Sequence, residues 1–171
     1  YNIIGCVEPQ KAGKTEGWHD AAFFNMCRPM ELVFSQGRDK GTQVGVVTKP
    51  VEEMKDFEEF YDAYKAQMNY MIKLLVNADN AIDVAHAERC PLPFLSCMVD
   101  DCMKRGLSVQ EGGAVYNFTG PQGFGVANMA DALYAVKTLV FDEHKATLKE
   151  FKEALATNYG KGLTKEMVGD M

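Results

Sequence analysis

A cysteine and a carboxylate two positions apart, Cys6 and Glu8, pair reactive sulfur with a proton acceptor near the start of this chain. They lie in Gly5-Cys6-Val7-Glu8-Pro9-Gln10, after the short apolar run Tyr1-Asn2-Ile3-Ile4 and before a glycine-containing loop. In extended backbone, residues i and i+2 point to the same side, so both groups can face one substrate. The same spacing also fits a buried thiol that happens to sit near a surface carboxylate. Spacing alone leaves both readings open.

The elements that must position this pair read as follows. Residues 2–7 form a short buried strand, and residues 9–17, with one Pro and two Gly, form a loop. Residues 21–35 read as a helix with Asp20 as its N-cap, Gly37 at its C-terminal end and Pro29 kinking it. Residues 37–50 are a polar, glycine-rich connector. Residues 56–77 repeat apolar side chains at three- and four-residue steps (Phe57, Phe60, Tyr61, Tyr64, Met68, Met71, Ile72, Leu75), with Asp56 and Glu59 as a capping pair. A second helix covers 80–88 and stops before Pro91 and Pro93, and a third covers 95–105, ended by Gly106.

Residues 114–118 read as a strand, 120–125 as a tight loop and 126–141 as a helix. Thr147 with Glu150 opens a last helix to about residue 158. The order is α/β with long helical excursions. Residues 2–7 and 114–118 are expected in one sheet or barrel, with the helices near 21–35, 56–77 and 126–141 outside it.

Composition narrows the function classes. The chain has 171 residues, 47% hydrophobic and 25% charged, which suits one globular domain. The net charge is −6 and no basic stripe is present, which argues against nucleic acid as a partner. No apolar run reaches the roughly 20 residues that span a bilayer, and no signal peptide precedes Tyr1. Five cysteines, Cys6, Cys27, Cys90, Cys97 and Cys102, are odd in number and irregular in spacing. That favours a reducing cytoplasm over a disulfide framework. The ten methionines read as adaptable core filler. The chain starts on Tyr and ends on Gly169-Asp170-Met171, which reads as a segment of a longer protein.

Other constellations offer less. Gly120-x-x-Gly-x-Gly125 has the wrong spacing for a dinucleotide fingerprint, and Pro121 removes a backbone donor. A strand-to-helix turn needing positive φ explains it as well. Trp18-His19-Asp20 fits a helix start or a substrate contact equally. His86, Glu88 and Cys90 alternate, but no second ligand cluster accompanies them. Cys97 and Cys102 read as buried thiols, and His144 as surface.

Longer motifs add a family. Gly-Cys-Val-Glu-Pro, read with Gly17-Trp18-His19-Asp20-Ala21-Ala22-Phe23-Phe24-Asn25, resembles the glycyl radical enzymes of pyruvate formate-lyase type. So do Ala85-His86-Ala87-Glu88-Arg89-Cys90-Pro91-Leu92-Pro93-Phe94 and the stretch from Glu111-Gly112-Gly113 through Tyr116-Asn117-Phe118-Thr119-Gly120-Pro121-Gln122. The resemblance covers nearly the whole chain. Within the family it is similar to the cobalamin-independent glycerol and propanediol dehydratases, and isethionate sulfite-lyases are near relatives. Choline-cleaving members resemble it around Cys6 and Glu8 but diverge in the loop that here holds Trp18-His19-Asp20.

The resemblance implies a partial α/β barrel of the glycyl radical enzyme type. It makes Cys6 the thiyl radical, Glu8 the base on the substrate hydroxyl and Asp20 a hydrogen-bond partner of a substrate hydroxyl. It implies no directly bound cofactor or metal, a small diol as substrate, a radical-SAM activating enzyme as partner and a homodimer. The family's radical-storing motif, similar to Arg-Val-x-Gly-Tyr, has no counterpart here: Gly160 and Gly162 sit in Tyr-Gly-Lys-Gly-Leu. Residues 1–171 are therefore expected to be the central segment of a larger barrel domain, inactive alone. Rival readings are a sulfite-lyase acting on isethionate, another carbon–heteroatom lyase of the family, or a non-catalytic α/β binding module.

Overall fold

The computed structural model describes residues 1–5 and 8–160; the expectations for Cys6, Val7 and residues 161–171 lie outside it. In chain order the elements begin with β1 (Asn2–Ile4), β2 (Glu8–Gln10), β3 (Thr15–Asn25), α1 (Arg28–Phe34), β4 (Arg38–Asp39) and β5 (Thr42–Gln43). Then come α2 (Phe57–Arg89), α3 (Pro93–Ser96), α4 (Cys102–Arg105), β6 (Tyr116–Phe124), α5 (Val126–Val136) and α6 (Leu148–Ala156).

The described strands form three separate two-stranded sheets: β1 with β2, β3 with β6, and β4 with β5. The expected single sheet joining residues 2–7 to 114–118 is therefore corrected among the described residues. β1 and β2 make an antiparallel hairpin in the register Asn2↔Gln10, Ile3↔Pro9 and Ile4↔Glu8. β3 and β6 run parallel: the Tyr116 N–H donates to the Lys14 carbonyl at one end (3.0 Å) and the Met26 N–H to the Phe124 carbonyl at the other (2.9 Å). The α/β class with helical excursions holds, with β3 to β6 as the parallel crossover.

Several local expectations change, each for a physical reason. β1 is exposed rather than buried, Ile3 at 64%, because a two-stranded ribbon leaves both faces open. Residues 15–25 are strand, not loop and helix. Ala21-Ala22-Phe23-Phe24 suits either state, and pairing with β6 decides. Asp20 therefore lies within β3 rather than at a helix start. Helix α1 starts at Arg28, and the Asn25 Oδ1 accepts the Cys27 N–H at 2.9 Å. Pro29 lies in the first turn, where its missing N–H costs nothing, so it starts the helix instead of kinking it. The end of α1 is a Schellman motif: Gly37 N–H to Leu32 O at 2.7 Å and Gln36 N–H to Val33 O at 3.2 Å.

α2 is one helix of 33 residues, not two. Asn77, Asp79 and Asn80 are weak helix formers, but they cost tenths of a kcal/mol (up to about 0.7) rather than the roughly 3 of a proline. The capping pair is as expected: Asp56 Oδ1 accepts the Glu59 N–H (2.9 Å) and Glu59 reaches back to the Lys55 N–H (2.9 Å). The Thr147–Glu150 capping box opens α6 as expected. The 95–105 helix is two single turns, α3 and α4, the second closed by Gly106 in the left-handed region.

The chain divides into two compact units, Tyr1–Phe24 with Lys73–Gln122, and Asn25–Ile72 with Gly123–Met171. The first has a small core of Val99, Cys102, Val109 and Ala114. The second has the larger one, where Phe60 is fully buried and its ring lies 5.5 Å from that of Phe34. Gln67, on α2, is also fully buried there. Its Oε1 accepts the Val46 N–H (3.0 Å) and its Nε2 donates to the Val46 carbonyl (2.7 Å), so one side chain replaces a missing strand partner. Gln67→Leu keeps the volume and strands both backbone groups. The expected loss is about 2–4 kcal/mol, read as a lower urea midpoint. A change within about 0.5 kcal/mol would show that water or backbone shift compensates.

Candidate active site

The hairpin register sets the geometry. Ile4 faces Glu8 across the ribbon, and Gly5 begins the turn with φ +61°. The Glu8 carboxylate folds back over Gly5: a Cβ at Gly5 would sit 2.5 Å from Glu8 Oε2. Only glycine meets both demands, a left-handed backbone and an empty Cβ position. Glu8 is half-buried, and its Oε1 accepts a hydrogen bond from Gln122 Nε2 at 3.2 Å. Cys6 lies outside the described residues. Asp20 lies in β3, and nothing of its side chain or that of His19 is described.

Gln122 reaches Glu8 because 120–124 is strand, not the expected tight loop. Along β6 the half-buried residues are Phe118, Gly120 and Gln122, one face at period two. Phe118 lays its ring where a Gly17 side chain would be, which closes the two parallel strands together. The positive φ expected of the glycine-rich stretch falls on Gly125, the N-cap of α5, with φ +82°. No arrangement for a phosphate precedes it, since the backbone before Gly125 is committed to the strand.

Trp18 packs edge-on against His86 of α2, ring centroids 5.3 Å apart. With Glu16, Asp83 and Asn117 they line a recess of about 270 Å³. His86 thus has an aromatic partner, while Glu88 and Cys90 are exposed. Among the described residues no group of three His, Cys, Asp or Glu side chains is placed to hold a metal. Cys97 is exposed, which corrects its reading as a buried thiol; Cys102 is buried, and burial pushes its thiol pKa up. No described helix is long and apolar enough to cross a membrane.

Glu8, Gly5 and Gln122 form an oriented carboxylate at the mouth of a hairpin whose turn sequence carries a cysteine. An oriented carboxylate of this kind can take and return a proton at a group brought to it. Sequence reading singles out Glu8 but not Gln122, its hydrogen-bond partner. The signal was present as alternation through Tyr116, Phe118, Gly120, Gln122 and Phe124, but the three glycines and the proline masked it.

Known proteins resemble the chain over nearly its full extent. A solved structure described as 1,2-propanediol dehydration in Roseburia inulinivorans is 64% identical, with TM-score 0.92, covering 99% of this chain and 21% of that one. The glycerol-bound B12-independent glycerol dehydratase from Clostridium butyricum is 61% identical, with TM-score 0.90, covering 92% and 20%. The (2S)-3-sulfopropanediol dehydratase of Klebsiella oxytoca is 40% identical over 161 residues, 93% of this chain and 20% of the relative. The chain spans about a fifth of the length of the relatives it matches. The pyruvate formate lyase-like family pattern matches residues 1–171 throughout, and the chain belongs to that family.

Proposed function

We propose that residues 1–171 are the central segment of a glycyl radical lyase that dehydrates a small diol, glycerol or propane-1,2-diol, to an aldehyde. The observation that carries this reading is the Cys6-x-Glu8 pair within a chain 61–64% identical to structures of propanediol and glycerol dehydratases. A glycyl radical held elsewhere in the protein, installed by a radical-SAM activating enzyme, supplies the unpaired electron. The working form is a homodimer without a directly bound cofactor, in the cytoplasm.

The chemistry balances without an external oxidant. The Cys6 thiyl takes a hydrogen atom from the hydroxyl-bearing carbon; an S–H bond forms and a C–H bond breaks. Glu8 takes the proton of that hydroxyl, and Asp20 hydrogen-bonds the diol. The carbon radical, now bearing an alkoxide, expels the neighbouring hydroxyl, which leaves as water with the proton from Glu8. The resulting carbonyl radical takes the hydrogen back from Cys6. S–H and activated C–H bonds are close in strength, so both transfers run in either direction. The carboxylate contributes by placing negative charge on the oxygen and carbon of the radical centre, which pushes out the leaving group on the neighbouring carbon.

The test is the protein at the length of its relatives, activated anaerobically and offered glycerol, propane-1,2-diol, 3-sulfopropanediol and isethionate. Aldehyde from an unsubstituted diol is expected. Sulfite from isethionate, with no aldehyde from either unsubstituted diol, would move the enzyme to the rival activity, and turnover of the sulfonated diol alone would move the substrate.

A further inference from the structure

Glutamate has three rotatable side-chain bonds, and a base that wanders loses most of its effect. Two described features restrict Glu8. Gly5 presents bare backbone to Oε2, and Gln122 donates Nε2–H to Oε1 at 3.2 Å from a neighbouring element 114 residues away in sequence. An amide is a neutral donor whose hydrogen bond favours the ionised carboxylate, the form that accepts a proton. Its own backbone is fixed, because β6 is hydrogen-bonded to β3 at both ends.

We propose that Gln122 is a positioning residue for Glu8: its amide, with Gly5 as the opposite wall, holds the carboxylate in the one orientation from which it takes the substrate proton. This rests on Glu8 being the base. Gln122 acts through Glu8 and touches no reacting atom. The same contact explains why a Gly-Pro-Gln-Gly stretch stays extended here. Gln122 must point to the Phe118 and Gly120 face of β6, and a loop would not fix that direction.

The test is a double-substitution cycle in the activated full-length enzyme. Gln122→Met keeps the shape and removes the donor. It is expected to lower kcat by up to about 10²-fold, the usual cost of a misplaced catalytic group, with KM, glycyl radical intensity and Tm unchanged. In a Glu8→Gln background the same substitution is expected to cost nothing further, because there is no base left to position. A residue with only a structural role costs the same in both backgrounds, and that outcome overturns the proposal, as does wild-type kcat in Gln122→Met. If Gln122→Met fails to take up the radical, the isosteric and polar Gln122→Glu decides. Lower kcat with the radical intact supports the proposal, while wild-type turnover, or loss of the radical in both variants, overturns it. Near-normal turnover in Glu8→Gln alone would instead sink the reading of Glu8 as base, a failure distinct from that of Gln122.

Discussion

Cys6→Ser in the activated full-length protein is expected to abolish diol turnover while the stored glycyl radical remains visible by electron paramagnetic resonance. Serine is nearly isosteric, so the hairpin keeps its shape and the substitution isolates bond strength. An O–H bond is stronger than the glycyl C–H bond, so the stored radical has no downhill path onto the serine oxygen. A merely nucleophilic cysteine predicts something else: serine hydroxyls can attack, and partial activity would survive. The other described cysteines act as controls. Cys27 points its thiol at the Gly125 carbonyl (3.7 Å), Cys102 is buried, and Cys90 and Cys97 are exposed on the surface. Serine at Cys90 or Cys97 is expected to leave turnover within about twofold, as for surface positions generally. Near-normal turnover in Cys6→Ser refutes the radical mechanism.

How much of this was legible in the sequence depended on whether the signal was local. The N-terminal half of α2, the Thr147–Glu150 cap and most of the helix read at 126–141, which is α-helical to Val136 and π-helical over Lys137–Asp142, were readable because apolar spacing and capping act within a few residues. The strand at 15–25 was not. Ala21-Ala22-Phe23-Phe24 carries no period, and its state is set by β6, about a hundred residues further on. Gln67 was invisible for a related reason: a glutamine on an apolar helix face reads as a defect until Val46 supplies its two partners. The site shows the same division. Cys6 and Glu8 stand two residues apart and can be read as a pair from the sequence. Gln122 belongs to the same carboxylate through space alone, in a stretch whose glycines and proline resemble a turn. Exposed apolar residues on the C-terminal half of α2, such as Leu74 at 49% and Val84 at 57%, fit a chain that spans about a fifth of its relatives.

Glu8→Gln is expected to reduce turnover by about 10²–10⁴-fold, the usual contribution of a positioned general base. Gln122 donates to Glu8 Oε1, and a carbonyl oxygen introduced at position 8 accepts the same bond at the same distance. Gly5 still leaves room for the other terminal atom. Fold, radical content and KM are therefore expected to hold while kcat falls. The loss is confined to one step. Hydrogen transfer to the Cys6 sulfur needs no base, but the carbon radical then keeps a neutral hydroxyl and expels its neighbour slowly. The pH dependence separates this from a packing effect. A base acts in its ionised form, so wild-type kcat falls as pH drops through the carboxyl's titration in the enzyme–substrate complex. With an amide at position 8 nothing titrates there, and the acidic limb of the kcat profile is expected to flatten. A variant that keeps the acidic limb, or that keeps turnover within about tenfold of wild type, would assign the proton transfer to a different group.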